Sequence, residues 1–359
     1  TVWSGSSGVL ITDTIMFLVF LTAAIIGIPF IVKAAGGWIP AIQNLALSTT
    51  KPGIISAGGN LEYLYPTGAE NITWAVTYGI VWALVVMISP WQTSRYLMAK
   101  DEKTVLKSAV WSSALVIMIT TLLYFSAAFV QSINPDLVAS QSIIWAAMNL
   151  MPKLVGVVLL TGILAAGISS ASTFLSLIGF SITNDLMNLK GGEVDKQLRI
   201  SRVGMIGASV LVLILAYFNP PQIFWIMYFG GTVIASSWAV VALGSVWSKK
   251  LSSMGAFLGM LLGFVGCVGV KSYSVMMSVT LPIWADSFFI GILLSIIGAA
   301  VGSIVWPKSD AEQKEQNQLK TEVESVDGIH KYGIAYLGFA VAFTLFMLCM
   351  YVFPYVEAL

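Results

Sequence analysis

Nine stretches of the chain are apolar, free of charge and long enough to cross a bilayer. They run approximately 14–32, 71–94, 108–131, 154–184, 203–218, 220–248, 251–270, 287–306 and 332–355. A helix rises about 1.5 Å per residue, so roughly 20 apolar residues span a hydrocarbon core of about 30 Å. A tenth stretch, Leu137–Leu150, is too short and reads as an interfacial or re-entrant helix. No segment alternates apolar and polar residues with period two, which excludes β spans. The pattern therefore predicts an all-α polytopic membrane protein.

Between the spans the polar residues cluster. Fourteen of the 18 basic residues fall on alternate connections, in the groups Arg95–Lys107, Lys190–Arg202, Lys249–Lys250 and Lys308–Lys331. The other four, Lys33, Lys51, Lys153 and Lys271, fall on the remaining connections. Basic residues concentrate on the cytoplasmic side of membrane proteins. The first set is therefore expected inside and Leu359 outside. A missed span would have scrambled this alternation. The 34–70 connection is read as an external loop, Asn219–Gln222 as a tight external turn, and Lys308–Lys331 as a mobile internal linker.

Composition narrows the chemistry. The chain is 57% hydrophobic and 10% charged, with mean hydropathy +0.87. Both cysteines, Cys267 and Cys349, lie within apolar runs, which argues against a disulfide framework or a thiolate metal site. The single histidine, His330, lies in a polar connection. No Ser/His/Asp set and no pair of carboxylates occurs within the spans, so we expect no enzyme. Nothing suggests nucleic acid or an obligate protein partner. The chain opens on Thr1, without the basic n-region or cleavage pattern of a signal peptide. We read it as a fragment lacking N-terminal helices.

Three polar features interrupt the spans. The first is Ala166, Ser169, Ser170 and Thr173, which fall within an arc of about 100° at i, i+3, i+4 and i+7. Ser172 and Ser176 flank that arc, and Leu164, Ile168, Ala171 and Leu175 lie opposite. Hydroxyls and backbone carbonyls suit a hard cation such as Na⁺. The same residues also suit helix packing, because small side chains allow close approach and membrane hydroxyls bond their own helix. The second is Met87–Arg95, where Pro90 removes a helical N–H ahead of Gln92, Thr93 and Ser94. Broken helices with polar groups hold substrates in transporters; an ordinary proline kink would look alike. The third is Thr12-Asp13, either a helix N-terminal cap or a cation ligand.

Taken together, the motifs Gly8-Val-Leu-Ile-Thr-Asp13, Pro90–Lys100 (PWQTSRYLMAK) and Ile163–Asp185 (ILAAGISSASTFLSLIGFSITND) resemble the sodium/solute symporter family, which includes the sodium/proline and sodium/galactose cotransporters. The stretch Phe224–Gly263 is also similar, and later spans match mainly in hydropathy. The resemblance implies an inverted five-helix-repeat, leucine-transporter-like fold within a single transmembrane transporter domain, 1–359. Residues 1–34 would close the first repeat, 71–248 would form the second, and 249–359 would be peripheral. It implies a coupling-sodium site from the Ala166 carbonyl and the hydroxyls of Ser169 and Ser170. A candidate second sodium site would use Asp13, Ser172 and Thr173, although many members carry an acidic residue where this chain has Ser172. Substrate contacts would come from Ser89, Pro90, Trp91 and Gln92. The 108–131 span holds no lysine, which argues against a sugar.

The resemblance thus implies a sodium-coupled secondary active transporter, with Na⁺ as coupling ion. It would sit in the cell (inner or plasma) membrane and import a small polar or anionic solute by alternating access. The fragment itself should not transport, because the first repeat's broken helix would complete both sites. The alternatives are a proton-coupled or uncoupled transporter of the same fold, and a symporter-like sensor domain.

Overall fold

The computed structural model describes residues 5–50, 54–55, 68–187, 194–218, 223–322 and 328–359. The helices are α1 (Gly5–Ala34), α2 (Trp38–Ala46), α3 (Gly68–Ile88), α4 (Pro90–Leu97), α5 (Glu102–Ile133), α6 (Ser142–Asn149), α7 (Lys153–Phe180), α8 (Val194–Tyr217), α9 (Ile223–Trp247), α10 (Ser253–Met277), α11 (Ser287–Val305), α12 (Asp310–Glu322), α13 (Ile329–Met347) and α14 (Phe353–Ala358). Among the described residues there is no strand, and nine helical stretches are long and apolar enough to cross a membrane. They coincide with the nine segments expected from the charge-free runs.

The chain divides into two units. One holds 1–64, 100–219 and 328–359; the other holds 65–99 and 220–327. In the first, α1 and α7 lie side by side and antiparallel. Gly27 of α1 meets Leu159 of α7, and Gly162 meets Ala23, where an added Cβ would come within 2.7 Å of the Ala23 Cβ. After α1 the chain reverses through Gly36, whose φ of 86° is open to glycine at little cost. Within the 34–70 connection read as a loop, residues 38–46 form α2. Its apolar face, Ala41, Ile42 and Leu45, packs with Phe129 and Val130 of α5 and Ala146 of α6. Trp38 meets Phe129 edge-on at 5.1 Å and donates through Nε1 to the Met350 carbonyl at 2.7 Å. The Tyr351 hydroxyl donates to the Ile55 carbonyl. The short segment before α7 is a 3₁₀ turn leading into α6, fixed by Gln131 donating to the Ser142 hydroxyl at 2.7 Å.

In the second unit α3, α9, α10 and α11 pack together. α3 and α9 share a cluster of Val81, Val85, Tyr228, Ala235 and Phe288, with Tyr78 and Tyr228 stacked at 5.6 Å. α10 and α11 pack through glycine: a Cβ at Gly298 would lie 2.6 Å from the Leu258 carbonyl oxygen, and one at Gly302 2.7 Å from the Gly255 Cα.

The polar connection from Lys308 is not a mobile linker over its described part. Residues 310–322 form α12. Glu312 accepts from the Ser309 N–H at 2.7 Å and from the Ser253 N–H at 2.9 Å, and the Ser253 hydroxyl also donates to it. Gln316 donates to the carbonyls of Ser245 at 2.7 Å and Ser248 at 3.2 Å. These bonds fasten α12 to the α9–α10 connection. The hydrogen bonds, that from the Ser253 hydroxyl foremost, hold the Glu312 carboxyl down to about 2. The turn expected at Asn219–Gln222 lies outside the described residues.

Candidate functional site

α7 begins after Pro152, whose carbonyl accepts the first helical bond from Gly156 at 3.0 Å. It continues without a break to Phe180 and then through a π-helical turn, Ser181–Leu186. Ser169 and Ser170 sit at the middle of this continuous stretch. Burial divides the helix along its length. Gly162, Ala165, Ser172, Ser176 and Gly179 are buried, Ala166, Ser169 and Thr173 are half-buried, and Gly167 and Ser170 are exposed. The expected apolar face is outward, with Leu164 and Ile168 exposed.

Most hydroxyls of α7 bond to their own helix. Thr161 donates to the Val157 carbonyl at 2.8 Å, and Ser176 to that of Ser172 at 2.9 Å. Ser172 and Thr173 both donate to the Ser169 carbonyl, at 2.9 and 3.1 Å. This is the usual behaviour of membrane serines and threonines. Two residues differ. Ser169 donates across the α1–α7 interface to Asp13 Oδ1 at 2.6 Å. The Ser170 hydroxyl has no hydrogen bond among the described residues.

Asp13 is 9% exposed. It lies eight residues inside α1, so it is not an N-terminal cap of this helix. Its carboxylate instead meets the hydroxyl cluster of α7. The resemblance grouped Asp13 with Ser172 and Thr173 and grouped Ser169 with Ala166 and Ser170. The hydrogen bond joins a member of each group, and the Ser169 carbonyl gathers the hydroxyls of Ser172 and Thr173. Spacing along α7 carries a sign of this: Ser169, Ser172 and Ser176 recur at three and four residues and so share one side of the helix.

The donor set suits a monovalent hard cation. It offers hydroxyl oxygens, helical carbonyls and one carboxylate, with no sulfur or imidazole. Among the described residues no group of three His, Cys, Asp or Glu could form a conventional metal centre.

The second polar feature lies in the other unit. α3 stops at Ile88, Ser89 is extended (φ −68°, ψ 143°), and α4 starts with Pro90 at its first turn. Proline tolerates that position because its missing N–H would be unbonded anyway. The Ser89 carbonyl accepts from the N–H groups of Gln92 and Thr93 at 3.1 and 3.0 Å. Ser89 is fully buried, and its hydroxyl has no hydrogen-bond partner among the described residues. Pro90, Trp91 and Gln92 are half-buried. The break is thus a complete interruption with a new helix start, more than a bend.

Comparison with known proteins identifies the family. The sodium:solute symporter family model matches residues 1–263, a region that contains every residue discussed above as a site candidate. The sodium/pantothenate symporter of Escherichia coli (strain K12) is 24% identical over 312 residues, covering 85% of this chain and 62% of that protein. The chain therefore spans less than two thirds of that relative's length. With nine apolar, membrane-length helices among its described residues and a family match over residues 1–263, the chain is a multi-pass membrane protein that belongs to the sodium:solute symporter family.

Proposed function

We propose that the protein is part of a sodium-coupled symporter that imports a small polar or anionic organic solute by alternating access. The observation that carries this reading is the unusual state of Ser169 and Ser170. At the centre of a charge-free span, one is bonded to a buried carboxylate and the other is left with an open hydroxyl. Sodium would bind the Ala166 carbonyl and the hydroxyls of Ser169 and Ser170. A second ion would use Asp13, Ser172 and Thr173. Solute would meet the Ser89–Gln92 break, where backbone and side-chain polar groups are released from helical bonding. A relative named for pantothenate transport favours a carboxylate-bearing solute.

In this reading residues 1–34 end the first repeat, 71–248 form the second, and 249–359 are peripheral. The basic connections face the cytoplasm of a cell (inner or plasma) membrane, and Leu359 faces out. Sodium binding favours the outward-open form that takes up solute, a reciprocal linkage between two sites.

The test is uptake by the intact protein of labelled carboxylates, amino acids and sugars, with and without a sodium gradient. Carboxylate uptake that requires sodium is expected. Ser169→Ala combined with Ser170→Ala should raise the sodium concentration needed for half-maximal uptake at least tenfold. Unchanged sodium dependence in that variant, or uptake driven by a pH gradient alone, would overturn the assignment.

A further inference from the structure

We propose that the end of the α10–α11 pair holds a zwitterionic ligand of the phosphoethanolamine class, a primary ammonium joined to a phosphate. The starting point is a cavity of about 240 Å³ where α10 ends and α11 begins, lined by Lys271, Ser274, Ser278, Thr280, Asp286 and Ser287. None of these residues belongs to the sodium or solute sites proposed above. Two opposite charges line this cavity without satisfying each other. Lys271 and Asp286 form no ion pair among the described residues, and Lys271 makes no hydrogen bond there. Asp286 spends Oδ1 on capping α11, accepting from the Phe288 N–H at 2.9 Å. Its Oδ2 makes no hydrogen bond among the described residues.

The wall selects the ligand. The Lys271 ammonium suits a phosphate, which it meets as a point charge. The free Asp286 oxygen accepts N–H bonds from an ammonium. So do hydroxyl lone pairs: Ser274 commits its proton to the Val279 carbonyl at 2.8 Å, and the hydroxyls of Ser278 and Thr280 make no hydrogen bond among the described residues. Ser278 ends α10 in the left-handed conformation, φ 51°, where glycine is usual; serine there keeps a hydroxyl on the wall. A quaternary ammonium has no N–H to give, and the rest of the wall is aliphatic, without the aromatic faces that hold such cations. The volume is below the roughly 300–1,000 Å³ of drug-sized sites, which suits a headgroup. Depth points the same way. Tyr273 and Trp284, close to Lys271 and Asp286 in the chain, are 53% and 73% exposed, and such side chains mark the membrane–water interface, where lipid headgroups lie. The same chemistry also occurs in solution, as free phosphoethanolamine.

The experiment is thermal stabilisation of the purified intact protein in detergent, titrated with short-chain phosphatidylethanolamine, phosphatidylcholine, phosphatidylglycerol or free phosphoethanolamine. Ligand stabilisation scales with the logarithm of concentration over dissociation constant, so apparent affinities follow from the titrations. Phosphatidylethanolamine should bind at least about tenfold more tightly than either of the other lipids. Lys271→Gln should weaken its binding by roughly 10–100-fold, the usual effect of losing one charge-assisted hydrogen bond. Lys271→Arg should stay within a few-fold of the parent. Asp286→Asn keeps a side chain that caps helices, so it should fold and lose the preference over phosphatidylcholine. Stabilisation by phosphatidylethanolamine without phosphoethanolamine assigns the site to lipid; stabilisation by phosphoethanolamine assigns it to a soluble zwitterion. Stabilisation by neither, equal binding of phosphatidylcholine to the parent, or an unchanged phosphatidylethanolamine affinity in Lys271→Gln would overturn the inference. Lys271 is exposed, so its variants carry the test should Asp286→Asn fail to fold.

Discussion

Two regions of this protein are built from small residues, and they use them in opposite ways. Along α10 and α11 the small residues let backbones touch. A Cβ at Gly255 would fall 2.8 Å from the Ala299 carbonyl oxygen, and one at Gly263 would fall 2.7 Å from that of Ser236. Ser295 is fully buried in this seam and its hydroxyl has no hydrogen-bond partner among the described residues. There the hydroxyl is only a small side chain that fits. Along the centre of α7 the packing opens. Gly156, Gly162 and Gly179 are tight against neighbours, whereas a Cβ at Gly167 would meet nothing within 4 Å. Gly167 and Ser170 share a face, three residues apart, and both are exposed. Composition alone does not separate a closely packed stripe from an open one; the space around each glycine does.

The comparison can be broken most severely at the seam. Gly298→Leu should abolish accumulation of folded protein, because the obstructing atoms belong to the Leu258 backbone and cannot rotate aside. Gly298→Ala should cost about 1–3 kcal/mol, the usual range for overpacking, read as a fall in thermal midpoint. A fully stable Gly298→Leu variant would show that the seam is not close-packed. The sodium effect of Ser169→Ala with Ser170→Ala comes next: a shift in ion dependence with little change in folding, the reverse of the seam variants.

A third kind of joint sharpens the contrast. α12 is held by charge-assisted hydrogen bonds to Glu312. Glu312→Gln should loosen it, seen as faster amide exchange over 310–322. Acid should act in the same direction. The Glu312 pKa is depressed from 4.5 to about 2, so its contribution is complete above about 4.5 and disappears as pH falls towards about 2. Exchange corrected for intrinsic pH dependence should rise across that window in the parent and remain flat in Glu312→Gln. Smallest of all should be Gly167→Ala. With open space for the methyl and a helix-favouring residue, it should change stability by no more than about 1 kcal/mol, towards stabilisation.

The spans were legible because charge-free length is a crude requirement that the bilayer enforces directly. The break at Ser89–Pro90 was legible because proline chemistry is local. α12 was misread: its polar composition suggested a solvated linker. Yet Ser309-Asp-Ala-Glu312 is a capping-box pattern, and Glu312 and Ser309 do exchange the two bonds such a box requires, at 2.7 and 3.3 Å. The α2 helix hid in a Gly-Pro-Asn-rich connection, although Trp38, Ile42 and Leu45 already spell one apolar face. The Asp13–Ser169 bond was not legible in local pattern. It depends on how α1 and α7 are laid against each other, which no spacing within either helix specifies.

The π-helical turn at Ser181–Leu186 bears on how α7 tolerates insertion and deletion. Such a turn carries one residue more than the α-helical turn it replaces. Removing a single residue within it would restore ordinary α geometry and leave every side chain before it facing its present neighbour. The same deletion at Ala171 would rotate Ser172 and Ser176 by about 100° relative to Ser169. Their hydroxyls would then leave the side of the helix they now share with Ser169. A one-residue length change in this span is therefore harmless or ruinous depending on which side of Phe180 it falls.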